Sequence, residues 1–288
     1  MDVEEYFQVS AFEPYVSRAS WEKLDSRVHV GVERLLDLLS RFGHRATFFV
    51  LGCVAARRPD VVRAIAGAGH EVASHGWDHR RVTTLDAEAF SADVRWSKAY
   101  LEDLTGAPVL GYRAPSYSIV PGREWALDAL IEAGYRYDSS LFPVARRGYG
   151  YPGMPRVPHW LDRQGGKLYE VPPTTMRAFG LTLPVGGGAY FRLFPYAVVR
   201  AALNQAAARG AAGTFYLHPW ELDPDQPRVA VNRLTRVRHY GGLRGVARKL
   251  ELLLGEFRFT AIASAPALAA RASLTGVDYP GQGARDLS

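Results

Sequence analysis

His75 and His79 form an H-x-x-x-H pair, and the intervening Gly-Trp-Asp permits a turn that brings both imidazoles to one point. Two imidazoles suit zinc or a similar borderline metal. Histidines four apart also occur on helices that hold no metal, so the pair gains weight from its company. Asp2-Val-Glu-Glu-Tyr-Phe7 supplies the carboxylates of Asp2, Glu4 and Glu5 just after what should be a first strand. Two histidines and a carboxylate with open positions are what a hydrolytic metal needs. Cys53 is the single cysteine, which excludes an internal disulfide framework and a cysteine-rich zinc site.

These residues need a scaffold, and the apolar pattern supplies one. Val32, Leu35, Leu36, Leu39 and Phe42 recur at helical spacing before Gly43, and the strand-like Ala46-Thr-Phe-Phe-Val-Leu51 follows. The alternation continues with a helix through Val61, Val62 and Ile65, a strand Glu71-Val-Ala-Ser-His75 and a helix over 87–104. Next come a strand over 110–114, a helix over 124–133 and strands over 135–138 and 168–171. A helix over 196–208 leads into Thr214-Phe-Tyr-Leu-His218, and a last helix over 244–254 precedes Phe257-Arg-Phe-Thr-Ala-Ile262. Strands alternating with helices imply a parallel sheet, and about eight such units imply a barrel. His75, Arg113, Asp138 and His218 each fall at the C-terminal end of an expected strand, the rim on which barrel enzymes build their sites. One polar residue at a strand end is more often simply satisfied there; four favour a site.

The 288 residues fit one catalytic domain, and with 48% hydrophobic residues there is material for a large core. A net charge of +6 spread over many arginines suits an anionic polymer or a membrane surface and does not favour nucleic acid. No charged segment precedes an apolar run at the N-terminus, and no stretch approaches the roughly 20 apolar residues of a membrane span. As written, the chain reads as cytoplasmic, without an integral membrane segment. Residues 265–288, rich in Ala and Gly, read as a disordered tail. Asp2 follows Met1 directly, although a barrel strand should begin several residues earlier. A short first strand is expected to leave edges unpaired and to hold its carboxylates loosely.

On these motifs the chain resembles the polysaccharide deacetylases of carbohydrate esterase family 4, the NodB-homology family, from Asp2 to about Ile262. Asp2-Val-Glu4 is similar to the family's D-x-[DE] motif, which maps the base onto Asp2 and a metal ligand onto Glu4, with Glu5 as fallback. His75-Gly-Trp-Asp-His79 is similar to the second motif, with Gly76 where many members carry Ser or Thr. Arg113-Ala-Pro-Ser-Tyr117 resembles the third, whose arginine holds the base and whose main chain near Ser116 or Tyr117 faces the oxyanion. Asp138-Ser-Ser140 and Leu217-His218 resemble the last two. Phe48-Phe-Val-Leu-Gly52, His218-Pro-Trp-Glu-Leu-Asp-Pro224 and His239-Tyr-Gly-Gly resemble the branch encoded with exosortase-linked exopolysaccharide loci.

The resemblance implies a distorted (β/α) TIM-like barrel of about seven to eight parallel strands over residues 1–264, with a C-terminal extension from about residue 220. It implies a divalent metal, zinc foremost, held by Glu4, His75 and His79, and an N-acetylated polysaccharide or oligosaccharide as substrate. Asp2 would take a proton from water polarised by the metal, and His218 would donate to the leaving amine. Asp138 would orient His218 or merely cap a turn. Gly186-Gly-Gly-Ala-Tyr-Phe191 and Trp220 are candidates for a sugar groove, with a loop and a core tryptophan as the plainer reading. The triple glycine does not resemble a phosphate loop, since no G-K-[ST] follows and no helix is expected to open there. His159 and Trp160 fall in a Pro-rich loop long enough to be a lid. Two other readings stay open: a small-molecule amide hydrolase of the same fold, allantoinase-like, and a non-catalytic carbohydrate-binding relative.

Overall fold

A computed structural model describes residues 1–146 and 148–275. Seven strands share one sheet in the order β1-β2-β3-β4-β5-β7-β6. They are β1 (Asp2–Val3), β2 (Thr47–Val50), β3 (Glu71–Ser74), β4 (Gly111–Tyr112), β5 (Tyr137–Asp138), β6 (His159–Arg163) and β7 (Gly166–Glu170). All neighbours pair in parallel except β6 and β7, which form an antiparallel hairpin. The hairpin occupies the Pro-rich segment expected to be a lid, and it carries His159 and Trp160 into the sheet. A second hairpin joins β8 (Thr175–Ala178) to β9 (Leu181–Pro184).

The helices are α1 (Val28–Arg41), α2 (Gly52–Arg57), α3 (Pro59–Gly67), α4 (Ala87–Thr105), α5 (Trp125–Glu132), α6 (Gly188–Leu193), α7 (Tyr196–Ala207), α8 (Arg233–Tyr240), α9 (Val246–Glu256) and α10 (Pro266–Thr275). Strand β2 is buried throughout, as expected for a parallel strand covered on both faces. The stripe of α1 packs Val28, Val32, Leu35 and Leu39 inward, and Gly43 ends the helix at φ 68°. The α1 N-terminus is capped from a distance, because Glu5 Oε2 accepts from the N–H groups of Arg27 (2.9 Å) and Val28 (3.1 Å). No helix among the described residues is long and apolar enough to cross a membrane.

The α/β class with a mostly parallel sheet stands, but the seven strands do not close as one ladder. Residues 214–218 and 257–262, expected as strands, form none. The first stretch makes single bonds to both sides: Leu217 O accepts from Asp2 N (3.0 Å), and Tyr216 exchanges bonds with Gly186 and Gly188. The second crosses the floor of the sheet, its N–H groups donating to side chains: Phe259 to His44, Ile262 to Thr47 and Ala263 to Glu71. Backbone donors satisfied by side chains have no call for a strand partner. The short β1 is nonetheless well held, since Phe49 N donates to Met1 O (2.7 Å) and the Met1 nitrogen donates to Thr47 O (2.7 Å). Two further expectations change. The triple glycine does open a short helix, α6, because Gly187 approaches so closely that a Cβ there would lie 1.8 Å from Tyr216 O. The stretch expected as a tail from Ala265 begins with α10, while 276–288 lie outside the described residues.

Two features tie the fold to the rim. Gly31 on α1 lies against Pro219, where a Cβ would meet Pro219 O at 2.0 Å. Gly31→Ala should therefore displace the segment that begins at His218 and cost about 1–3 kcal/mol in urea unfolding; an unchanged midpoint would show that the contact is slack. Asp138 on β5 and Glu170 on β7 are register partners with buried carboxyls. Burial, reinforced by the Asp138 charge, raises Glu170 well above its ordinary value, and burial pushes Asp138 up to about 6 against its bonds to Ser140. The folded chain thus keeps protons that the unfolded chain releases, so this pair makes stability fall as pH rises through that range. Glu170→Gln keeps a hydrogen-bond donor and removes the charge. Its stability relative to the parent should grow from about pH 5 to about pH 7; equal pH slopes in urea titrations would contradict the raised affinity of this pair for protons.

Candidate active site

Glu4, His75 and His79 are all buried, and one potential ligand atom from each lies within 4.8 Å of the others. His75 follows β3 directly, and its Nδ1 sits 2.7 Å from Arg113 O. A proton on Nδ1 donated to that carbonyl leaves Nε2 as a lone-pair ligand. Burial and the charge of neighbouring His79, acting against Asp2 and Glu4, push His75 down to about 4, so it is neutral. Glu4 Oε1 accepts from Trp220 Nε1 (3.1 Å), whereas its buried Oε2 has no hydrogen bond although it lies 2.9 Å from His79 Nε2. Two ligand-type atoms facing each other without a hydrogen bond are the arrangement a cation between them would satisfy. Burial alone would raise Glu4, but His79 and His218 hold it down at about 2, ready to ligate as the carboxylate.

The turn from His75 to His79 is built for this. Gly76 has φ 76°, a left-handed conformation that a Ser or Thr would strain to adopt, which accounts for glycine here. The Trp77 N–H donates to both oxygens of Asp93 (3.3 and 3.1 Å), and Arg18 Nη2 donates to His79 O (3.3 Å). His79 itself is held at φ 60°, one of few non-glycine residues in that region.

Asp2 lies beside this cluster. Its Oδ1 accepts from Arg113 Nη1 at 2.6 Å, and both side chains are buried. Burial would raise the Asp2 carboxyl, yet Arg113, then His75, keep it well below the ordinary carboxylate range. Arg113 is fixed in turn by Ser139, whose carbonyl (3.2 Å) and hydroxyl (2.8 Å) accept from it, and it lies over the Phe49 ring at 4.2 Å. Asp138 supports this from behind: Ser140 Oγ donates to it (2.5 Å) while accepting from Ala114 N (2.8 Å). Asp138 has no ion pair with His218, so of the two expected roles the turn-capping one is seen.

His218 finds another carboxylate. Its Nδ1 lies 3.0 Å from Glu221 Oε2, which also accepts from the His218 N–H (2.9 Å). Arg192 Nε donates to Glu221 Oε1 at 2.5 Å, within a buried pair. The outward Nε2 lies 3.9 Å from Asp2 and 3.8 Å from Glu4. Burial disfavours charge on His218, but Glu221, Glu4 and Asp2 outweigh it and raise the imidazole to about 9.

Three sequence assignments change. Glu5, the fallback ligand, is spent on the α1 N-terminus and on Ser26. Trp220 cannot stack on a sugar, because His218 (5.1 Å between centroids) and His239 (4.2 Å) already stack on it. The Tyr117 N–H is engaged with Ala114 O (3.0 Å), which leaves Ser116 as the stronger oxyanion candidate. Ser116 and Tyr117 both have φ near 55° (55° and 53°), and the Ser116 hydroxyl meets that of Ser10 at 2.7 Å. Sequence reasoning missed Glu221, Arg192, His239 and Asp93. Glu221 left one signal, its position three residues after His218 in a Pro-initiated turn; Arg192 left none.

Residues 24–137 match the family model for polysaccharide deacetylase, and residues 139–266 match a domain of unknown function. The second match begins far before residue 220, where an extension was expected. Among curated proteins, a peptidoglycan deacetylase-like protein of Gibberella zeae is 35% identical over 114 residues, 39% of this chain and 33% of that protein. The chain spans about a third of the length of the curated relatives it matches. Among solved structures, a Mycobacterium smegmatis protein assigned to the polysaccharide deacetylases superposes with a TM-score of 0.62 at 22% identity, covering 100% of this chain and 93% of that one. PuuE allantoinase superposes with a TM-score of 0.56 at 20% identity, covering 85% of this chain and 72% of that one. Likeness at that identity speaks for the fold alone. Residues 24–137 are thus similar to the polysaccharide deacetylases, both in the family-model match and in the deacetylase relatives.

Proposed function

We propose that the chain is a metal-dependent hydrolase that removes N-acetyl groups from amino sugars of a bacterial exopolysaccharide and releases acetate. The observation that carries the reading is the convergence of Glu4, His75 and His79 beside the Asp2–Arg113 pair and the charged His218. Two imidazoles and a carboxylate fit a divalent ion, zinc foremost, and no cysteine competes for it. Such an ion, when bound, would supply Lewis acidity toward the acetyl carbonyl and toward water.

The chain's own residues do the rest. Asp2, kept ionised by Arg113, accepts the proton of the attacking water at Oδ2, the oxygen that Arg113 leaves free. Main-chain N–H groups near Ser116 stabilise the oxyanion. His218, protonated and held by Glu221, donates from Nε2 to the leaving nitrogen, so that acetate and a free amino sugar part. A divalent ion at Glu4 would offset that carboxylate's pull on His218, while Glu221 continues to favour the imidazolium. Substrate from an exopolysaccharide locus, rather than from another N-acetylated polymer, is supported by the resemblance of segments such as His218-Pro-Trp-Glu-Leu-Asp-Pro224 to that branch.

The test is acetate release from N-acetylglucosamine oligomers and from crude exopolysaccharide, with allantoin as the competing substrate. Asp2→Asn and His218→Ala should each lower turnover by about 100-fold or more while zinc content stays near that of the parent. Glu4→Gln and His79→Ala should lose the metal. Full activity in both Asp2→Asn and His218→Ala would remove this mechanism, and turnover of allantoin alone would move the chain to the small-amide hydrolases.

A further inference from the structure

From residue 226 to residue 250 the chain carries seven Arg and Lys and no Asp or Glu. Helix α8 lies within this stretch, and its outer face mixes cations with apolar side chains. Leu234 is 68% exposed and Val237 59%, one turn apart on the same face. Leu193, the last residue of α6, and Phe194 after it, at 46% and 38%, adjoin them, since a Cβ on Gly241 would touch both Val237 O and Leu193 Cδ2. Arg233, Arg236, Arg238, Arg244 and Arg248 are all exposed, and none forms an ion pair among the described residues.

This face is rigid. Arg192, buried, donates to the carbonyls of Arg238, His239 and Gly241, which satisfies the C-terminal end of α8 and ties it to the turn bearing Leu193. Lys249 donates to the carbonyls of Phe191 (3.1 Å), Arg192 (2.9 Å) and Phe194 (2.8 Å), which fixes that turn against α9. The backbone that carries these four apolar side chains is thus tied down by six side-chain-to-carbonyl bonds. The whole patch falls within residues 139–266, the part matched by the domain of unknown function.

We propose that α8 and the 193–194 turn form a docking face for a bilayer containing anionic phospholipid. Cations beside exposed leucine, valine and phenylalanine suit the lipid interface, where guanidinium groups meet phosphates and the apolar side chains enter the acyl boundary. A hydrated anionic polysaccharide would use the arginines and leave the apolar side chains without a role. The same helix borders the site: its N-cap Asn232 donates to Tyr15, and its buried His239 stacks on Trp220 beside His218. Docking would hold the site against the membrane, so that its substrate is a glycan kept at that surface. This last consequence rests on the hydrolase reading, and the docking itself does not.

The test is co-sedimentation of the full chain with vesicles of phosphatidylcholine alone and of phosphatidylcholine mixed with phosphatidylglycerol, without glycan. Binding is expected only to the mixed vesicles. The double variants Leu234→Asp/Val237→Asp and Arg233→Gln/Arg236→Gln should each weaken it by about tenfold or more, with urea midpoints and acetate release from soluble oligomers unchanged. A parent chain that stays in the supernatant overturns the proposal. So does a Leu234→Asp/Val237→Asp variant that binds like the parent, because recognition would then be of charge alone, as by a soluble polyanion. Loss of acetate release with vesicle binding intact would count against the hydrolase reading and leave the docking face standing.

Discussion

The ion pair between Arg113 and Asp2 organises the rest of the site. Taking both charges out of water is costly, and their attraction repays that cost only when the remaining donors and acceptors are also satisfied. Arg113 is met in this way: Ser139 takes two further donors of Arg113, Phe49 lies under its guanidinium, and Asp138 braces the neighbouring amide through Ser140. The Arg113 carbonyl, facing the other way, sets the ring orientation of His75. One buried arginine therefore fixes the candidate base with its side chain and a candidate ligand with its main chain. This is why a strand of only two residues can hold Asp2 in place, while Trp220 holds Glu4.

A second chain of charges reaches the site from the C-terminal half. Arg192 pairs with Glu221, Glu221 holds His218, and His218 faces Asp2 and Glu4. Trp220 links the two systems, donating to Glu4 while its ring separates His218 from His239. The polysaccharide deacetylase match covers His75, His79 and Arg113, and the second match covers His218, Glu221 and Arg192. The two histidines and His218 thus come together only where the two matched regions meet, and Asp2 and Glu4 join them from the segment that precedes both. Gly31 marks one place where they do, with α1 lying directly on the segment that follows His218.

Elements with strong period were legible in the sequence. The stripe of α1 and the buried run of β2 appear where Val32, Leu35, Leu39 and Phe48-Phe-Val50 place them. Segments without a continuous strand partner were not: 214–218 and 257–262 have strand composition, yet side chains of Thr174, His44 and Thr47 take the N–H groups of Thr214, Phe259 and Ile262. At the site, residues with both chemical character and local spacing were readable, as His75 with His79 and Asp2 with Glu4. Glu221 hid because a carboxylate in a turn is ordinary until a histidine is seen to need it. Asp138 stayed open for the converse reason, since its strand-end position suits a catalytic role while its neighbours in space are Ser140 and Glu170.

The proposed chemistry depends most on a single ion seated among Glu4, His75 and His79. A crystal of the chain equilibrated with zinc and measured on both sides of the zinc absorption edge tests this directly. One anomalous peak bounded by Glu4 Oε2 and the two imidazoles is expected, with Asp2 still paired to Arg113 and His218 still held by Glu221. Anomalous density elsewhere, or none at these three residues in an otherwise ordered site, would contradict it.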